Sequence, residues 1–155
     1  MRDTELREEI VIELELMEAA VQELLALQRD AAERQLTIRE KTAAAAFLAQ
    51  FYNGVENILK RISHFYAVPL PTGDTWHVDL FTQFCFPAQE PLPALFDEPL
   101  ASALAPFRKF RHVFYHAYSV QLDWDRMAEG VARVEDVFLQ FKSRLSGYLQ
   151  TVESQ

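Results

Sequence analysis

The side chains best suited to chemistry are concentrated in one run, Arg108-Lys109-Phe110-Arg111-His112-Val113-Phe114-Tyr115-His116-Ala117-Tyr118. Three cations and two of the four histidines fall within nine residues, and no Asp or Glu occurs from Leu100 through Leu122. Histidine, with an ordinary pKa of about 6.5, serves as general acid or base near neutrality. A guanidinium grips a phosphate with paired hydrogen bonds and stabilises charge that builds up in a transition state. Together these groups point to attack on a phosphodiester. RNA brings its own nucleophile, the 2′-hydroxyl, so such an enzyme needs neither a metal nor a nucleophilic side chain. The sequence offers no metal-ligand spacing and no Ser-His-Asp or Cys-His arrangement. Arg-x4-His is short by itself and arises by chance in many proteins.

Read as a helix at about 100° per residue, the run divides into two faces. Ala103, Phe107, Phe110, Phe114 and Ala117 form an apolar side. Arg111, Tyr115, Arg108, His112, His116 and Lys109 follow one another around the other side, over roughly 160°. Core packing accounts for the phenylalanines. It does not account for the cations, which have no acid within a helical turn to pair with and are costly to bury alone. They are expected to face water, another chain or an anion. Arg111 and His116 lie five residues apart and diverge by roughly 140° on a straight helix. Two copies of the helix meeting about a two-fold axis would bring both types around one cleft, so the expected active unit is a homodimer.

The elements that must carry this run read as helices throughout. Residues 3 to about 35 form one long helix, with Ile10, Met17, Leu24 and Ala31 spaced by seven and Leu14, Val21 and Gln28 as the partner series. Its flanks hold ten acids against four Arg over residues 1–35. They read as a solvated face, with docking of a basic partner as the sharper alternative. Thr37-Ile38-Arg39-Glu40 fits a capping box, which ends the first helix near Gln35 and starts the second near Ile38. Phe47, Phe51, Val55, Ile58, Ile62 and Phe65 carry helical spacing to about Tyr66. Gly54, in mid-helix, marks close backbone packing. Glu56 and His64 read as ordinary surface residues. Prolines 69 and 71 break the helix, and Asp74 or Thr75 caps a short one from Trp76 to about Phe84. A loop with three prolines follows, then a helix from about Glu98 to Ser119 that Pro106 should kink or restart. Asp123 or Asp125 caps a last helix to about Gln150, with Val131, Val134, Val137, Phe138, Phe141, Leu145 and Tyr148 as its apolar stripe. The fold expected is all-α, a bundle of four to five helices with a long N-terminal helical hairpin.

A chain of 155 residues, half of them hydrophobic, is long enough for one domain with a real core. Its formal net charge of −8 argues against a nonspecific nucleic-acid coat protein, though not against a local cationic site. Cys85 stands alone, so no disulfide framework forms within the chain. The first residues contain no apolar signal region, and no stretch approaches about 18 uncharged apolar residues. The expectation is a soluble cytoplasmic protein with no membrane partner.

Arg111 through Tyr118 resembles the Arg-x4-His-x-Tyr signature of the HEPN superfamily, and specifically of HepT-like ribonuclease toxins. Phe51-Tyr52-Asn53-Gly54-Val55-Glu56-Asn57-Ile58-Leu59 is similar to the second-helix segment of that family. Trp76-His77 followed by Leu80 is similar to its short middle helix. Phe107-Arg108-Lys109-Phe110-Arg111-His112 and Leu122-Asp123-Trp124 also fit. The resemblance implies that residues 1–155 form one HEPN-like domain, dimeric, which cleaves RNA without metal or cofactor. It implies Arg111 as the phosphate holder, His116 as acid/base, and supporting contacts from Arg108, Lys109 and His112. It further implies a nucleotidyltransferase antitoxin that transfers AMP to Tyr118. That residue lies seven positions from Arg111, about −20° on the wheel, where an added phosphate would block the anion site. The alternative is a noncatalytic helical bundle that binds a nucleotidyltransferase partner or a nucleotide.

Overall fold

Long apolar stripes at helical spacing leave this chain one way to bury them, helix against helix, and the computed structural model does so. It describes residues 2–116 and 122–153. Five helices follow in order: α1 (Arg2–Glu33), α2 (Ile38–Phe65), α3 (Trp76–Thr82), α4 (Glu98–His116) and α5 (Trp124–Glu153). Among the described residues the only β feature is an isolated bridge between Cys85 and Phe96. The expected all-α bundle with a long N-terminal hairpin is therefore what the chain forms.

The hairpin is set by its turn. The Glu40 backbone N–H donates to Thr37 Oγ1 at 3.2 Å, and the Thr37 N–H donates to Glu40 Oε1 at 2.9 Å. This is the reciprocal capping box, which satisfies two donors that a helix start otherwise leaves orphaned. Arg34 grips both oxygens of Glu40, each at 2.7 Å, fastening the end of α1 to the start of α2. At the far end Arg2 donates to the Phe65 carbonyl at 2.6 Å, so the two helices run antiparallel over their whole length. Gly54 allows the approach: a Cβ there would overlap Met17 Cγ and Sδ.

The seven-residue series holds for Ile10, Met17 and Leu24, all buried, while Ala31 and Gln28 are half-buried near the helix end. They meet Phe51, Val55, Ile58 and Ile62 of α2 and Val131, Val134, Phe138, Phe141 and Leu145 of α5 in one core. The acids of α1 divide in two. Glu13 is buried and takes Arg61 at 3.3 Å, and Glu9 takes the same Arg61 at 3.1 Å. Glu5, Glu8, Glu15 and Glu18 are exposed, as a solvated face requires.

Asp97 starts α4 by accepting from the Leu100 N–H at 3.0 Å. The helix then runs unbroken through Pro106 to His116, so of the kink or restart expected there the restart does not occur. A proline ring costs its helix one hydrogen bond to the carbonyl four residues back, and here that residue is the exposed Ser102, which water can serve. Asp123 heads α5, its Oδ1 accepting from the Asp125 N–H at 3.0 Å. Within the described residues no helix is long and apolar enough to cross a membrane.

Candidate functional site

The site lies where α2, α3 and α4 meet. The buried stripe of α4 is Leu100, Leu104 and Phe107, and one further step of four along it reaches Arg111. Arg111 therefore faces α2. Its side chain keeps 19% of its surface exposed. Phe110 and Phe114 are only partly buried at the margin of the core. The two faces expected for this helix are thus rotated: a largely enclosed cation sits at the end of the apolar stripe.

Helix α2 supplies the partners from one face. Asn53 and Glu56 are three residues apart and so lie side by side on the helix surface. Arg111 Nε donates to Asn53 Oδ1 in a short hydrogen bond. Arg111 Nη1 is 3.3 Å from Glu56 Oε1. The second Glu56 oxygen, Oε2, is 2.7 Å from Nδ1 of His77 on α3, and Arg111 Nη1 is 3.1 Å from the same nitrogen. Glu56 is 2% exposed, so its carboxylate is held between a guanidinium and an imidazole with little access to water. A buried carboxylate requires such partners.

Two aromatic layers fix the cationic groups. The Arg111 guanidinium lies 5.2 Å over the ring of Tyr115, one turn further along α4. Asn53 Nδ2 donates to the Tyr115 hydroxyl at 3.2 Å, closing a loop of contacts Arg111–Asn53–Tyr115. The His77 ring packs against Trp76 with centroids 3.5 Å apart and planes tilted by 33°, and Lys60 Nζ sits 4.7 Å over the Trp76 ring. Cations over aromatic faces are attracted by the ring quadrupole. Behind the site, burial first and then the charge of Glu56 push the Tyr52 phenol well above the ordinary tyrosine range.

Other residues singled out in the sequence take different positions. Arg108 is half-buried, its guanidinium 5.1 Å over Phe81. Lys109 and His112 are exposed. The α4 backbone is helical through His116, so that residue stands about 140° around the axis from Arg111. The side chain of His116, and the whole of Ala117 and Tyr118, lie outside the described residues. Among the described residues no three His, Cys, Asp or Glu side chains converge as a metal site would need.

Two expectations need correction. Glu56 was expected at the surface and is among the most buried groups of α2. The cationic run was expected to lack a counter-charge, yet Glu56 supplies one to Arg111 from another helix. The signal for the first was available: Glu56 stands four residues after Tyr52 and three before Leu59, within the buried arc. Neither Asn53 nor His77 was expected to touch Arg111.

Among families of related sequences, the model described as HepT-like protein matches residues 43–152, which takes in nearly all of α2 and everything from α3 through most of α5. No curated protein and no solved structure matches the chain.

Proposed function

The chain belongs to the HepT-like family, a family of HEPN-superfamily toxins, and from that premise we propose that it is a metal-independent endoribonuclease, the toxin of a toxin–antitoxin pair. Arg111 holds the scissile phosphate, His116 transfers the proton, and the 2′-hydroxyl of the RNA attacks. Arg108, Lys109 and His112 supply further contacts to the RNA backbone. Two protomers form the cleft, since Arg111 and His116 of one straight helix point apart. A nucleotidyltransferase antitoxin silences the enzyme by transferring AMP to Tyr118.

The observation that supports this most is the fixing of Arg111 by Asn53 and Glu56 with part of its surface left open. A guanidinium already held in place loses little freedom when it takes a phosphate, and such positioning is a large part of catalysis by oriented groups. Glu56 reduces the local charge but does not cancel it: Arg108, Lys109 and Arg111 on α4 stand against one carboxylate.

The test is cleavage of RNA by purified protein in EDTA, with His116→Ala as the comparison. Loss of cleavage in the variant is expected, and full activity would sink the role of His116. The counter-charge on Arg111 favours one other reading, a noncatalytic bundle that binds a nucleotidyltransferase or a nucleotide. It predicts no RNA turnover, a stable heterocomplex on size exclusion, or heat released on titration with ATP.

A further inference from the structure

The contacts around Glu56 leave one group in the site without a task. His77 comes from α3, far from the Arg-x4-His run, yet its Nδ1 is 3.1 Å from Arg111 Nη1. Its ring is partly open, with 24% of the side-chain surface exposed. Both Glu56 oxygens are engaged, Oε1 by Arg111 and Oε2 by His77. Nδ1 has two neighbours, and the carboxylate at 2.7 Å is nearer than Arg111 Nη1 at 3.1 Å. An ionised carboxylate only accepts, so we assign the proton to Nδ1, with the Arg111 approach as a packing contact. In the neutral ring that assignment puts the lone pair on Nε2, the arrangement by which a carboxylate orients a catalytic imidazole. The Trp76 ring, its centroid 3.5 Å away and its plane tilted by 33°, packs against the imidazole as well.

We propose that His77 is the general base of this site, taking the proton of the RNA 2′-hydroxyl on Nε2 while Arg111 beside it holds the phosphate. The inference rests on the ribonuclease reading and deepens it. Nε2 accepts the 2′-hydroxyl proton as O2′ forms its bond to phosphorus. The P–O5′ bond breaks, and O5′ takes a proton from the imidazolium of His116. The products are a 2′,3′-cyclic phosphate and a 5′-hydroxyl, and water resets the two histidines. Base and phosphate holder then come from one protomer, next to each other. The divergence of His116 from Arg111 along one straight α4 is met by the two-protomer cleft, in which the second protomer supplies His116 as acid.

The experiment measures new 5′-hydroxyl ends formed in total RNA by the full-length protein, wild type against His77→Gln and His77→Gly. Both variants are expected to lose roughly a hundredfold in rate or more, the usual contribution of a positioned acid or base. Free imidazole added to His77→Gly is expected to restore at least roughly tenfold, and more basic methylimidazoles to restore more, as a proton acceptor in the transition state requires. A structural role for His77 gives no such dependence on basicity. Wild-type rates in His77→Gln, or a slow His77→Gly that added imidazoles do not rescue, overturn His77 as base and leave the nuclease standing. A wild type that makes no 5′-hydroxyl ends overturns the nuclease reading itself.

Discussion

Glu56 and Arg111 face each other across the α2–α4 interface, Oε1 of one 3.3 Å from Nη1 of the other, with the carboxylate 2% exposed. This pair ties the site to the stability of the fold. Removing one member of a buried pair strands the other charge, at a typical cost of about 3 kcal/mol or more. Arg111 and His77 retain some access to water, which places Glu56→Ala near the lower end. Glu56→Gln, which keeps the shape and an acceptor oxygen, is expected to lose less than half as much. Urea denaturation followed by circular dichroism checks both. A loss below about 1 kcal/mol for the alanine variant would mean that water replaces the carboxylate without difficulty.

Asn53 has no chemistry to perform, but it accepts from Arg111 Nε and donates to the Tyr115 hydroxyl. Asn53→Ala frees both side chains. A small misplacement of a group that holds substrate is enough to lower turnover by roughly tenfold, and that is the expected fall in RNA cleavage. Melting temperatures of the variant and wild type should stay close, since Asn53 is only part-buried. A variant with the wild-type rate would show that the two contacts do not position Arg111.

Gly54 and Met17 form a second pair whose effects should not add. An alanine Cβ would overlap Met17 Cγ and Sδ, and overpacking of this kind costs about 1–3 kcal/mol. Alanine also gains about 1 kcal/mol over glycine in a helix interior. The net expectation for Gly54→Ala is a destabilised protein. In a Met17→Ala background the overlap is gone and Gly54→Ala should turn neutral or stabilising. The double-mutant cycle measures this coupling, and additive free energies would refute it.

The α1–α2 turn gives a pH prediction. The Arg34 side chain first, then the Thr37 backbone N–H, hold the Glu40 carboxyl down at about 2, from an ordinary 4.5. The folded value lies below the unfolded one, so the contribution is complete above pH 4.5 and disappears as pH falls toward 2. Glu40→Gln should therefore flatten the decline of stability over that interval, measured as thermal melts at stepped pH. Thr37→Ala should cost about 1 kcal/mol at neutral pH, where the cap is intact. Parallel acid curves for Glu40→Gln and wild type would count against the carboxylate.

Much of the fold could be read from residues close together in the chain. Thr37 and Glu40 announced the turn three positions apart, and Gly54 announced the close approach of α1. The apolar stripe of α5 was read residue by residue, and each member is buried. The site was harder because its groups converge from three helices. Arg111 was marked by type and position, but its partners Asn53, Glu56 and His77 depend on how α2 and α3 are rotated against α4. Local periodicity does not specify that rotation. Pro106 left open whether α4 restarts there, and it does not: a residue that breaks helices in general is tolerated where the orphaned carbonyl is wet.

The matched portion starts at residue 43, whereas α1 covers the apolar sides of both α2 and α5 with Ile10, Met17, Val21 and Leu24. Sequence kinship and the unit that folds are therefore not coextensive here. Trimming the protein to the recognisable part would unroof a long greasy seam and release a sticky, self-associating fragment. The opening helix is structural shielding that any shortened derivative must retain.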